Sequence, residues 1–260
     1  MPNLSSDALF ILIKSLEKGE KRNFKLFAAR NSGSADLKIV QLFDALDKMH
    51  TYDEEELLRK NDSIQKQQLS NLKAHLYKQI LISLRLNPAH KNIRIQIREQ
   101  LDFATVLYQK GLYKQSLKLL DKAKNLALEN EEKNIAYEIV ELEKVIETQY
   151  ITRSLSNRAD LLSIQAKTLS QQNVIASKLS NLSLQLYSYL LQNGYVKNNK
   201  ELEFIKNYFY SKLPKYDFET FGFREKLWLY KSHLWFSFLC QDFLHSYKYA
   251  RKWVDLFKED

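Results

Sequence analysis

Residues 103 to 127, FATVLYQKGLYKQSLKLLDKAKNLA, decide the fold of this chain because they hold small and bulky residues at the spacing of two packed helices. The stretch contains one glycine, Gly111, which permits a tight turn. Small and apolar residues recur before and after it at intervals that place them on one face of a helix. These residues are Ala104 and Leu107 before the turn, Tyr113 at the turn, and Ser116, Leu120 and Ala123 after it. The pattern predicts a closely packed α-helical hairpin.

This hairpin pattern resembles the tetratricopeptide repeat family over one repeat, at about residues 95–128. A weaker match lies at about residues 230–257. In the weaker match the four pattern positions correspond as Phe243 to Tyr113, Ser246 to Ser116, Ala250 to Leu120, and Trp253 to Ala123. Ala250 is small where the family is usually large, and Trp253 is large where it is usually small. The resemblance implies hairpins that stack into a superhelical array.

The resemblance also implies where a partner would bind. In tetratricopeptide proteins the first helix of each hairpin lines the concave groove. That pattern, carried onto this chain, directs four residues toward a partner protein: Arg98, Thr105, Tyr108 and Gln109. Tyr108 is the expected anchor, and the alternative is that its ring packs on the neighbouring helix pair.

Composition favours helices along the whole chain. The 260 residues include only five glycines and three prolines, far fewer than the turns of a β-protein require. We therefore predict an all-α fold, with an N-terminal helical bundle followed by the tetratricopeptide-like array. Because the residue before a proline is disfavoured in a helix, Pro88 suggests a division into domains 1–89 and 90–260.

Several helix boundaries follow from local signals. Ser5 or Ser6 is expected to cap a first helix that stops at Gly19. Two separate helices are expected at about 155–171 and 173–193, and one continuous helix at about 218–240.

The last helix, at about 242–258, ends the chain with large apolar residues. These are Trp253, Val254, Leu256 and Phe257. A terminal hairpin of a repeat array needs a polar outer face, so we expect this C-terminal face to be covered by a partner, by self-association or by further repeats.

The net charge of +9 raises nucleic-acid binding as a second hypothesis. Basic residues are spread thinly, and the best element is an amphipathic helix at 64–86. Its candidate contacts are Lys66, Lys73, Lys78 and Arg85. The alternative is a bundle helix whose polar face is basic and solvated. This alternative is favoured because no short glycine-containing turn, as in a helix-turn-helix, precedes the helix.

Catalytic and cofactor signals are weak. The five histidines show no metal-ligand spacing, and no phosphate-binding glycine motif is present. The single cysteine, Cys240, lies among aromatic residues that should raise its pKa, and it points to a reducing compartment. No run approaches the 18 apolar residues of a membrane span, and the start of the chain lacks the shape of a signal peptide. We therefore expect a cytoplasmic, non-catalytic adaptor without metal or cofactor that binds another protein or a peptide.

Overall fold

The computed structural model describes residues 7–30, 34–61, 63–87, 92–149 and 157–258, with the side chains of 34–37 excepted. Within these ranges the chain forms twelve α-helices, one short 3-10 helix and no β-strand. The prediction of an all-α fold is confirmed. The chain divides into two compact units, Met1–Asn92 and Ile93–Asp260. The predicted domain boundary after residue 89 falls outside the described residues.

The first unit is a bundle of five helices. Its centre holds Phe24 and Phe43, whose rings lie 4.7 Å apart and are both buried. The longest helix packs against three others, which makes it the axis of the bundle. The helices are α1 (Ala8–Ser15), α2 (Lys18–Arg30), α3 (Ser34–Lys48), α4 (Glu54–Lys60) and α5 (Lys66–Leu86), and α5 packs on α1, α2 and α3.

The boundaries of α1 differ from the prediction. Asp7 caps this helix, because its carboxylate accepts hydrogen bonds from the backbone N–H groups of Leu9 and Phe10. Ser5 and Ser6 lie outside the described residues. Gly19 does not end α1 but lies inside α2. The reason is that the N–H of Glu17 donates to the Glu20 carboxylate at 2.7 Å, which fixes the start of α2 before the glycine.

The second unit is a series of helices in which sequence neighbours pack together. From α6 to α9 each helix packs on the next. The long α9 also contacts α10 and α11, and α11 packs on α12. The helices are α6 (Ile93–Gln109), α7 (Tyr113–Glu129), α8 (Lys133–Gln149), α9 (Arg158–Asn193), α10 (Asn199–Lys212), α11 (Phe223–Leu239) and α12 (Phe243–Asp255), with the 3-10 helix at Phe218–Thr220.

The hairpin predicted from residues 103 to 127 is formed by α6 and α7. Gly111 has φ +73° at the turn, a conformation that glycine adopts without strain. Ala104 and Ser116 are buried where the helices meet, and the Ser116 hydroxyl donates to the Ala104 carbonyl at 2.7 Å. Leu120 and Ala123 are also fully buried. The small residues allow close helix contact, so this prediction is confirmed.

The last hairpin, α11 and α12, repeats the geometry of the first. α11 begins 130 positions after α6 begins, and it ends 130 positions after α6 ends. The N–H of Leu112 donates to the Leu107 carbonyl at 2.9 Å, and the N–H of Asp242 donates to the Ser237 carbonyl at the same distance. Gln241 takes the place of Gly111, with φ +58°. The correspondence of Phe243 to Tyr113 therefore holds at the turn.

Residues 158–193 form one helix where the sequence suggested two. α9 runs for 36 residues without interruption. The predicted break, at Gln171 to Asn173, contains neither glycine nor proline. The Asn173 amide does not cap a helix there but donates to the Lys133 carbonyl of α8 at 3.4 Å. Packing on α8 at one end and on α11 at the other keeps α9 continuous.

The helix predicted at 218–240 is interrupted. The 3-10 helix ends at Thr220, and α11 begins only at Phe223. Gly222 lies between them, and its N–H donates to the Glu225 carboxylate at 3.0 Å. This hydrogen bond caps the new helix and explains the break.

Two buried ion pairs join the helices of the second unit. The Lys124 amine of α7 donates to both carboxylate oxygens of Glu143 in α8, at 2.8 and 2.6 Å. Arg158 of α9 adds a contact to Glu143 at 3.1 Å. Lys133 of α8 pairs with the buried Glu225 of α11 at 2.9 Å. Burial raises the pKa of Glu143, and the neighbouring Lys124 and Arg158 act against that rise. These pairs fix α8 against the helices on both sides.

Candidate partner-binding surfaces

The residues predicted on α6 lie along a contact with α8. The Arg98 guanidinium is 3.5 Å from the Glu138 carboxylate, and the Tyr108 hydroxyl donates to the Gln149 side-chain oxygen at 3.1 Å. Residue numbers rise together on the two helices, so α6 and α8 run in the same direction. α6 and α8 therefore lie side by side in the second unit.

Most of the polar groups on this face are already engaged. The Thr105 hydroxyl donates to the Leu101 carbonyl at 2.9 Å within α6. Tyr108 is half-buried, packs on the core and has its ring 5.8 Å from that of Tyr113. These contacts favour the packing interpretation of Tyr108. Gln109 is exposed.

Lys73, one of the four basic residues of the nucleic-acid hypothesis, is largely buried and engaged within the first unit. Its amine forms an ion pair with Asp7 and a hydrogen bond of 2.8 Å to the Tyr52 hydroxyl. It also lies 4.7 Å from the centre of the Tyr52 ring. The side chain keeps only 19% of its exposure. Lys73 therefore holds α1 and the segment before α4 against α5.

The other three basic residues of α5 are exposed, but the four do not all lie on one face of the helix. At about 100° per residue, Lys66 and Lys73 point to the same side of the helix. Lys78 and Arg85 point roughly 120° away from them. The structure therefore separates the four candidate contacts into two pairs, which gives no single basic stripe on α5.

An exposed apolar surface lies on α12 and the residues just after it. Of the four residues expected there, Leu256 is buried and Trp253 packs half-buried in the α9–α11 cluster, whereas Val254 and Phe257 are exposed. Three further side chains extend this surface. The α12 face consists of Phe243, Leu244, Tyr247, Val254 and Phe257, each more than half exposed.

Comparison with α7 shows why this exposure is unusual. In the register of 130 residues, Val254 corresponds to Lys124 and Phe257 to Ala127. On α7 these positions are 4% and 0% exposed because α8 covers them. Val254 on α12 is 55% exposed, and Phe257, two residues after α12 ends, is 58% exposed. The surface that a neighbouring helix occupies in the first hairpin is therefore open in the last.

Charge is distributed unevenly around the α12 face. Lys248 and Arg251 lie on its solvent side and are exposed, and Lys258 follows seven positions after Arg251, just beyond the end of α12. One acidic residue, Asp255, lies among them and pairs with Arg251 and Lys258 at 3.6 and 2.8 Å. The flank of the apolar stripe is thus net positive.

Aromatic side chains fill the space between α10, α11 and α12. His233 stacks on Tyr249 with ring centroids 4.5 Å apart and meets the edge of Phe209 at 5.0 Å. Burial lowers the pKa of His233 to about 4, and the positive charge of Lys252 acts in the same direction. His233 is therefore neutral in the folded protein at neutral pH.

We expect the second unit to lose stability as the pH falls from 6.5 to about 4. In that window the unfolded chain binds a proton at His233 and the folded chain does not, so acid favours unfolding. The loss should reach about 1 to 3 kcal/mol. Denaturation at several pH values checks this, with His233→Phe expected to flatten the dependence. His75→Gln, at an exposed position of α5, is the control, and an equal flattening there would contradict the assignment.

In the part of the chain that the structure describes, neither Cys240 nor the potential metal ligands are arranged as a reactive site. Burial raises the pKa of the Cys240 thiol. His245 lies beyond the turn at Gln241 and pairs with Asp242 at 2.8 Å. Among the described residues, no three His, Cys, Asp or Glu side chains come together as metal ligands. No helix in the described part of the chain combines the length and the apolar character that crossing a membrane requires.

The chain was also compared with known proteins. No protein-family model, no curated protein and no solved structure matches it.

Proposed function

We propose that this protein is a non-catalytic scaffold of the cytoplasm, a tetratricopeptide-like adaptor that binds another protein through its helical array. One observation carries the proposal: the α12 face exposes five large apolar side chains, and at two of these positions α8 covers the counterpart helix α7. Large exposed apolar patches in soluble proteins mark interaction sites. The single cysteine agrees with a reducing compartment.

The shape of this surface suits a helix as its ligand. Its members are spaced along one side of α12, with Phe243, Tyr247 and Val254 separated by four and seven positions. An amphipathic helix can bind such a surface by inserting its own apolar residues between these side chains. Aromatic residues at the centre of such a surface commonly supply much of the binding energy. Tyr247 is therefore the expected anchor.

The face formed by α6 and α8 contributes less support. Arg98 contacts the Glu138 carboxylate, and the Tyr108 hydroxyl donates to Gln149. A partner would have to break these contacts before using the same groups. We therefore place the primary surface on α12 and keep Arg98 and Gln109 as secondary contacts along the array.

Photo-crosslinking in cells tests the proposal. A benzophenone amino acid at position 247 should form a covalent adduct with a protein partner, identified by mass spectrometry. The same group at position 122 is the control, since Lys122 is exposed on α7 and its neighbours on the helix surface, Lys118 and Asn125, are exposed and polar. Nuclease treatment should leave the adduct intact. Adducts of equal yield at both positions, or only with nucleic acid, would overturn the proposal.

A further inference from the structure

We infer that the α12 face binds an acidic amphipathic α-helix that packs on α12 as α8 packs on α7. This inference rests on the proposed function and names the chemistry of the partner. It follows from three observations: the repeated geometry of the two hairpins, the open positions on α12, and the charges of the helices involved.

The first hairpin shows what kind of helix covers this position. α7 carries four lysines against two acidic residues, which gives it a net charge of +2. α8, which packs on it, carries four glutamates against two lysines, a net charge of −2. α8 buries isoleucine and valine on its inner side. The covering helix is thus amphipathic and of opposite charge.

α12 has the same electrostatic character as α7. It contains two lysines and one arginine against one aspartate, again a net charge of +2. The basic residues Lys248 and Arg251 border the apolar stripe on its solvent side. A helix lying in the stripe would bring its own flank close to them, where glutamate or aspartate is favoured and lysine is disfavoured.

The two surfaces differ in charge at the position of Lys124. Where α7 offers the buried Lys124 to Glu143, α12 offers Val254. A carboxylate against Val254 would be buried without a partner, which is costly. The partner helix should therefore carry an apolar residue at the place that Glu143 occupies in α8, with its acidic residues confined to the flank.

A second copy of this chain fits the surface less well. Symmetric pairing of two α12 faces would place the basic flanks of both copies against each other. Like charges across an interface disfavour association. The charge pattern therefore favours an acidic partner over self-association.

The probe is a synthetic peptide with the sequence of α8, residues 133–149, carrying Glu143→Leu and Lys144→Gln and with both ends blocked. The first change supplies the apolar residue for Val254, and the second keeps the net charge of α8 at −2. The matched control replaces the remaining glutamates, at positions 138, 141 and 147, with lysine. Binding of each peptide to the full chain is measured by fluorescence anisotropy at two salt concentrations.

The acidic peptide should bind about tenfold or more tightly than the basic one, and added salt should reduce this difference. Val254→Glu should weaken the acidic peptide by a similar factor, while Leu184→Ala, on α9, should not. The double change Lys248→Glu and Arg251→Glu should reverse the preference between the peptides. Equal binding of both peptides, or no effect of these variants, would overturn the inference.

Two further measurements separate the outcomes. If sedimentation shows a dimer that Val254→Glu abolishes, a second copy occupies the face and the acidic-helix inference fails. If position 247 crosslinks to a protein but the acidic peptide does not bind, the proposed function holds and the partner's chemistry is different. If position 247 gives no adduct and the peptide does not bind, both proposals fail.

Discussion

Lys124→Met is expected to destabilise the second unit by about 3 kcal/mol. The lysine stem is replaced by a side chain of similar length, but the amine that donates to both oxygens of Glu143 is lost. Glu143 has no exposed surface, so its carboxylate keeps only the contact with Arg158. A buried carboxylate without its main partner carries a large desolvation cost.

Equilibrium denaturation followed by tryptophan fluorescence measures this effect. All three tryptophans, Trp228, Trp235 and Trp253, belong to the second unit, so their signal reports its unfolding. Lys144→Met is the control, because Lys144 pairs with Glu141 at the partly exposed surface of α8, the helix that carries Glu143. Its effect should stay below about 0.5 kcal/mol. Equal losses in the two variants would show that the buried pair has no special role.

The double variant Lys124→Met, Glu143→Leu should recover much of the lost stability. Removing both charges eliminates the desolvation cost along with the ion pair, and buried ion pairs are often replaceable by apolar residues of similar size. Arg158 retains Glu147 at 3.4 Å. A double variant less stable than Lys124→Met would indicate that α7, α8 and α9 depend on the charges themselves.

The first hairpin could be predicted because its signals are local. Gly111 marks the turn, and the small residues Ala104, Ser116 and Ala123 mark the helix contact. The turns before α8 and α12 carry no such mark. There Glu131 and Gln241 adopt φ +57° and +58°, a conformation that side chains other than glycine rarely take. Packing of the flanking helices imposes these turns, so the residue type at each turn does not predict its backbone conformation.

The buried charges could not be predicted for a related reason. Lysine and glutamate in an amphipathic helix are normally solvated, and nothing in the spacing of Lys124 and Glu143 marks them as a pair. They meet because α7 and α8 pack as neighbours. The same holds for Lys73, which the sequence presents as one of several basic residues on α5 and the structure places beside Asp7.

The candidate surface was predicted only in part, because exposure depends on what the neighbouring helix covers. The apolar residues near the end of the chain are visible in the sequence, but Leu256 and Trp253 pack into the cluster with α9 and α11, whereas Val254 is exposed and Phe257 meets α11 at the Phe223 ring while staying 58% exposed. Periodicity gives two apolar sides on this helix. Only the contact with α11 decides which of them is open.

Phe209→Ala should destabilise the second unit by about 3 to 5 kcal/mol. Phe209 is fully buried between α9, α10 and α11, and its ring stacks on Phe236 at 4.1 Å. Truncation removes the ring and leaves a cavity that Leu182 and Ile205 cannot fill without moving. Ile205 and a hydrogen bond from the Tyr208 hydroxyl to Gln185 also attach α10 to α9, and Phe209 is the largest fully buried side chain of α10.

Phe204→Ala on the same helix is the matched control. Phe204 is 58% exposed, so its loss should cost less than about 1 kcal/mol. Hydrogen exchange then shows how the damage spreads. If α10 is integral to the array, Phe209→Ala should increase exchange in α9 and α11 as well as in α10, and the tryptophan transition should shift. Increased exchange confined to α10, with an unchanged tryptophan transition, would instead mean that α10 is a separable attachment and that α9, α11 and α12 present the α12 face without it.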